Sequence, residues 1–174
     1  MEYVFDYIYQ NYGLKDGNYE NLRFSNPVGY GSQRLPNPVG YENQRFSNPV
    51  GKPKIIEIGV GFYFEVAKKL KENGANITVV DANEKAIEEA RNQLLNGVVD
   101  DIFNPNMDIY RGSDLIYSIR PPRDLQPFIY DIAKKVSCDL IIKPLHGEQP
   151  IECLKLINYK GNPLYIWSSK MSKR

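Results

Sequence analysis

The residues with the clearest chemical potential are two glycines and the acid that follows them at Asp81. Gly59 and Gly61 close the stretch Lys54-Ile-Ile-Glu-Ile-Gly-Val-Gly61. With no Cβ at either position, the backbone can turn tightly and approach a ligand closely. Asp81 ends a second apolar stretch, Asn76-Ile-Thr-Val-Val-Asp81. An ionised carboxylate only accepts hydrogen bonds, so Asp81 can take both hydroxyls of a ribose held over the glycines. A second set is cationic: Arg120, Arg123 and Lys143, each at or just beyond the end of an apolar run. Guanidinium has no acceptor lone pair, which suits it to a phosphate or carboxylate through two parallel hydrogen bonds. His146 is the sole histidine and follows the run Asp139-Leu-Ile-Ile-Lys143, where it could serve as a general base. The sequence contains no metal-ligand cluster, no Walker-type phosphate loop and no Ser/His/Asp order.

These residues need elements to position them. Ile55, Ile56, Ile58 and Val60 form a short apolar run, as expected of a strand buried on both faces. Phe62 to Asn73 reads as an amphipathic helix with Tyr63, Val66, Ala67 and Leu70 on its apolar face, and Gly74 as its stop. Strand, Gly-x-Gly turn, helix, strand and acid together make a nucleotide-binding βαβ unit. A dinucleotide turn wants a third small residue, and here that position is Phe64, which argues against a pyrophosphate ligand. Asn83 should cap a helix that turns Ala86, Ile87, Ala90 and Leu94 inward and ends at Gly97. Further strands are expected over Val98–Phe103, Asp114–Ile119 and Asp139–Lys143, with a helix from Leu125 to Val136 between the last two. Glu152–Tyr159 and Leu164–Ser168 read as a closing hairpin around Lys160-Gly-Asn-Pro163. Gly147 to Pro150 is too short for a helix.

The pattern Glu57-x-Gly59-x-Gly61 resembles the first motif of class I S-adenosylmethionine-dependent methyltransferases, although that family's usual third glycine is Tyr63 here. The resemblance implies that Glu57 lies near the methionine moiety, that Asp81 holds the ribose, and that an acid after the third strand meets the adenine amino group. Asp101 is chosen for that role as the acid nearer the strand end, with Asp100 in reserve. Amino-methyltransferases carry a polar acceptor before Pro-Pro at the end of the fourth strand, whereas this chain has Arg120. Four stretches, Ile-Glu-Ile-Gly-Val-Gly-Phe, Val-Val-Asp-Asp-Ile, Leu-Ile-Tyr-Ser-Ile-Arg-Pro-Pro and Asp-Leu-Ile-Ile-Lys-Pro-Leu, are similar to a small archaeal family of uncharacterised proteins. That likeness covers residues 1–20 and 52–174. It implies a three-layer α/β Rossmann-like fold of the methyltransferase type, five parallel strands plus a C-terminal hairpin, in an archaeal cytoplasm.

Composition narrows the function classes. With 22 basic and 21 acidic residues among 174, no global field points to a nucleic-acid or membrane partner. No apolar run approaches membrane-spanning length, and Cys138 and Cys153 read as reduced, structural thiols. The expected organisation is an N-terminal helix over 1–20, with Val4, Ile8 and Tyr12 on one face, an insertion over 21–51, and the core over 52–174. The insertion repeats Arg23-Phe-Ser-Asn-Pro-Val-Gly29 at eleven-residue spacing. Its Asn-Pro and Val-Gly steps and sparse apolar side chains predict a flexible segment, the rival reading being Arg/aromatic contacts to single-stranded RNA. Two functions follow. One is a small methyltransferase using S-adenosylmethionine on an anionic or nucleic-acid substrate, with Arg120 and His146 as catalytic candidates and Arg123 and Lys143 holding the substrate. The other is a non-catalytic nucleotide-binding or regulatory module.

Overall fold

The computed structural model describes residues 1–14 and 51–169. The strand β1 (Lys54–Ile58) lies in the interior of a seven-stranded sheet, and its three isoleucines are at most 2% exposed. The chain steps outward through β2 (Asn76–Asp81) and β3 (Asn96–Val99). It then returns to the other side of β1 for β4 (Leu115–Ile119) and β5 (Asp139–Lys143). These five strands are parallel. The hairpin β6 (Lys155–Tyr159) and β7 (Asn162–Trp167) then joins with β7 antiparallel to β5, giving the order β3-β2-β1-β4-β5-β7-β6. The reversal between β1 and β4 opens a crevice at their carboxyl ends, where ligands bind in sheets of this kind.

Helices cover both faces. On one side α1 (Glu2–Asn11), α2 (Glu65–Glu72) and α3 (Glu84–Asn92) share a core with Ile55, Val79, Tyr117 and Ile141. On the other, the short α4 (Met107–Tyr110) and α5 (Gln126–Val136) pack over Ile56, Ile58, Ile116 and Ile142. Helix α1 buries Val4 and Ile8 and is tied to the sheet's far half. There Tyr12 donates to Asp139 at 3.1 Å, Lys160 pairs with Asp6 at 2.9 Å, and the Tyr7 and Tyr159 rings meet edge-on. Apart from Gly51, the eleven-residue repeats lie outside the described residues. Among the described residues no helix is long and apolar enough to cross a membrane.

Several boundaries differ from the sequence expectation. Helix α2 starts at Glu65 rather than Phe62, because Phe64 turns into the core, 4% exposed, ahead of the first helical turn. Helix α3 is capped by Asn83 as expected, its side chain accepting from Lys85 N and Ala86 N, but it ends at Asn92. Leu94 then adopts a left-handed φ of 62° and is 78% exposed, and Leu95 fills the inward position. Gly97 is no helix stop. It sits within β3, where a Cβ would lie 3.0 Å from Ile87 Cγ2. Strand β3 ends at Val99 because that residue pairs with Asp81, the last of β2, and no partner backbone remains beyond it. The hairpin turn is tighter than expected. Lys160 and Gly161, with φ of 51° and 78°, form the two-residue loop. Pro163 is tolerated inside β7 because β5 pairs only from Tyr165 onward and needs no N–H there.

Candidate functional site

A cleft of about 260 Å³ opens where β1 to β4 end. Its floor is Ile58, Gly59 and Val80, and Asp81 stands at one side. Asp81 Oδ2 accepts from Gly61 N and Oδ1 from Asn83 N, each at 2.9 Å. These two bonds fix the carboxylate, and each oxygen keeps acceptor capacity for a further donor. The turn itself is closed on its own backbone. Gly59 N and Val60 N both donate to Val80 O, at 2.8 and 3.4 Å, and Tyr63 N donates to Val60 O. Gly59 and Gly61 hold φ of 73° and 52°, which a side chain would strain. Gly59, Val60, Gly61 and Tyr63 spend their N–H groups internally, and the Phe62 N–H that remains between Gly61 and Tyr63 is too little for a phosphate nest. The Glu65 carboxylate in the first turn of α2 adds like charge at the place a phosphate would use.

Beyond Asp81 the wall turns apolar. Ile102, Phe103, Leu125 and Ile129 form a slot beside Asp100 and Asp101. Phe103 is 60% exposed and meets Phe128 edge-on, with centroids 4.7 Å apart. Asp100, not Asp101, is adjacent to the strand end, so the expected ranking by position is reversed. Their hydrogen bonds separate them differently. Asp100 accepts from buried Tyr110 OH at 2.7 Å and from Asn106 N at 3.1 Å, which makes it a scaffold. Burial, and then this bond, push the Tyr110 phenol pKa upward. Asp101 is exposed, and its carboxylate accepts only from Phe103 N at 2.9 Å among the described bonds. The apolar slot went unrecognised in the sequence. Its available signal was the pair Ile102-Phe103, which is too large and apolar for a solvated turn directly after two acids.

At the opposite end Arg120 lines the cleft with Ser118, whose hydroxyl donates to Ile58 O at 2.7 Å. Arg120 has a left-handed φ of 56°, its N–H donates to Lys143 O at 2.5 Å, and its guanidinium lies 5.6 Å from the Tyr63 ring centroid. Among the described residues no carboxylate forms an ion pair with it. Lys143 is behind this wall. Its ammonium donates to Pro144 O at 2.7 Å, and burial, followed by the Arg120 charge, lowers its pKa.

Besides Lys143, and Gly61, which meets Asp81 but is not part of the cleft lining, three expected site residues lie elsewhere. Arg123 is exposed in a 3-10 turn and His146 is exposed in the turn after β5, and neither lines the cleft. The buried Pro144 turns the chain away before His146 is reached. Glu57 also fails to line it. Alternation along β1 sends Ile58 to the cleft and Glu57 to the α1–α3 side, where it is 1% exposed and accepts from Tyr117 OH at 2.6 Å. Burial pushes its carboxyl pKa up to about 8, partly opposed by that hydrogen bond.

Strand order, layer composition and the glycine turn give a Rossmann-like fold with the sheet topology of class I methyltransferases. The chain belongs to UPF0146, an uncharacterised protein family, whose sequence profile matches residues 43–169. A UPF0146 protein of Pyrococcus horikoshii is 55% identical over 114 residues, covering 66% of this chain and 87% of that protein. One of Methanocaldococcus jannaschii is 57% identical, covering 65% and 82%. Among solved structures, an RNA methyltransferase from Salinibacter ruber in complex with S-adenosyl-L-homocysteine matches at 13% identity and a TM-score of 0.48, over 66% of this chain and 79% of that one. An S-adenosylmethionine-dependent methyltransferase from Mesorhizobium loti matches at 18% identity and a TM-score of 0.44, over 67% and 57%. Likeness of this degree bears on neither ligand nor reaction.

Proposed function

We propose that the cleft binds the adenosine portion of S-adenosylmethionine and that the protein is a small methyltransferase acting on an anionic or nucleic-acid substrate. The observation that carries this reading is the Asp81 carboxylate, fixed by two backbone N–H groups at the end of β2 with acceptor capacity remaining beside Gly59. Ribose hydroxyls are donors that such a carboxylate matches, and the slot at Phe103 with Asp101 at its rim suits a flat base carrying an amino group. A turn with no phosphate nest favours a nucleoside over a dinucleotide. When bound, S-adenosylmethionine supplies an electrophilic methyl group on sulfur. The chain's part is to hold and orient: Asp81 the ribose, Asp101 and Phe103 the base, and Gly59 the close backbone approach.

One observation favours the second reading, a nucleoside-binding module without methyl transfer. The wall nearest the cationic end offers no free base, because Arg120 cannot accept a proton and the Ser118 hydroxyl is committed to Ile58 O. Methyl transfer here therefore suits an acceptor that already carries a lone pair without a proton to lose. Calorimetric titration with S-adenosylmethionine, S-adenosylhomocysteine and NAD tests the pocket that both readings share. Wild type should bind the first two in preference to NAD. Asp81→Asn should weaken both by about tenfold or more, since hydrogen bonds to a charged acceptor are worth roughly 1.5–3 kcal/mol. Failure to bind any adenosine compound would end both readings, and a preference for NAD would end the methyltransferase reading.

A further inference from the structure

The cleft is electrically bipolar, and the nucleoside reading uses only one pole. By strand order, Asp81 and Asp101 follow β2 and β3 on one side of Gly59, which follows β1, and Arg120 follows β4 on the other. The arginine is held there at a cost. A non-glycine residue with φ of 56° is disfavoured by contact between its Cβ and the carbonyl oxygen, and such strain persists only where surrounding structure enforces it. The enforcing contacts are visible: the 2.5 Å bond from Arg120 N to Lys143 O, the Pro121-Pro122 pair that follows, and the Tyr63 ring beneath the guanidinium. Lys143 adds a second positive charge, and the Arg120 charge helps lower its pKa. Two neighbouring cations with no carboxylate ion pair among the described residues create a positive potential that an anion would relieve.

We infer that Arg120 is a specificity-determining residue that binds an oxyanion carried on the 5′ side of the nucleoside in this same cleft. This rests on the nucleoside reading of the Asp81 end and assigns the other pole. Arg120 lines the cleft together with Gly59 and Ser118, so the ligand that reaches it is the one lying over the turn. Planar guanidinium meets a carboxylate or phosphate through two parallel hydrogen bonds, and the Tyr63 face holds its plane. The oxyanion is either the carboxylate of an amino-acid tail or a 5′-phosphate, and both present the same chemistry to Arg120.

Calorimetry on the full chain distinguishes them with two ligand pairs, each differing only at the tail. S-adenosylhomocysteine against methylthioadenosine tests the carboxylate, and AMP against adenosine tests the phosphate. For one pair, wild type should prefer the member that carries the oxyanion by about ten- to a hundredfold. Arg120→Gln and Arg120→Gly should remove that preference while leaving affinity for the neutral member within about twofold, well under the tenfold worth about 1.4 kcal/mol. Glycine accepts the left-handed backbone, so the second variant guards against misfolding of the first. If the neutral members bind but neither anion adds affinity, or the preference survives in both variants, the assignment to Arg120 is wrong. If neither neutral nucleoside binds, the reading of the Asp81 end fails first and takes this one with it.

Discussion

Single residues here divide into those that face the cleft and those that hold it from behind. Glu57 belongs to the second group, and its environment makes a pH prediction. Its carboxyl pKa rises from an ordinary 4.5 to about 8, chiefly through burial. A raised folded-state pKa means that the folded protein binds more protons than the unfolded chain between those values. The stability contribution is therefore complete below pH 4.5 and is lost as pH climbs through about 8. The slope is up to about 1.4 kcal/mol per pH unit. Thermal midpoints of wild type should fall between pH 5 and pH 8, roughly the window of that slope. Glu57→Gln, which keeps an acceptor for Tyr117 OH but cannot ionise, should flatten that fall. An equal decline in both proteins would mean that Glu57 is charged in the fold. None of this was legible in the sequence. In the run Ile55-Ile56-Glu57-Ile58 both faces of the strand are buried, so the pattern gives no sign of which face looks into the cleft. Asp81 was legible because it ends its strand, where a carboxylate beside a glycine turn can only look outward.

At the scale of elements, the strands were readable from short apolar runs, whereas the ends of helices were not. Leu94 fits the apolar spacing of α3, yet the helix ends two residues earlier and Leu95 takes the buried place. Helical periodicity cannot tell whether an apolar residue belongs to the last turn or to the αL cap that follows it. Gly97 shows the consequence. It resembles a helix stop but is where β3 passes against α3, its missing side chain leaving room for Ile87. Gly97→Ala would put a Cβ 3.0 Å from Ile87 Cγ2 and 3.1 Å from Ile87 O. Backbone oxygen cannot move aside as a side chain can, so the substitution should destabilise by about 1–3 kcal/mol. Denaturant titration would register this as a lower midpoint at unchanged slope. Unchanged stability would mean that α3 slides freely over β3. Since Asp100 and Asp101 follow β3 directly, a shift there should also loosen the apolar slot.

Across the whole molecule, the order of strands brings together residues far apart in the chain: Gly59, Asp81, Asp101 and Arg120 share one cleft because β1, β2, β3 and β4 end on the same side. The fold was legible from the alternation of strands and helices. The membership of the cleft was legible for the strand-end acid, Asp101, the first glycine and the arginine. It was not legible for Phe103 or Ile102, whose position depends on where β3 stops. Nor could the sequence show that His146 and Arg123 lie away from the cleft, because both follow prolines whose turns set their direction only in three dimensions. On the proposed function, an adenosine-type ligand lies across this cleft with its ribose at Asp81. The most direct measurement is mapping of backbone amide shifts by NMR on titration with S-adenosylhomocysteine. Gly59, Gly61, Asp81, Asn83, Ile102 and Phe103 should move together with one dissociation constant, while His146 and the β6–β7 hairpin stay still. Shifts confined to the hairpin or to His146, or no saturable shift at all, would contradict it.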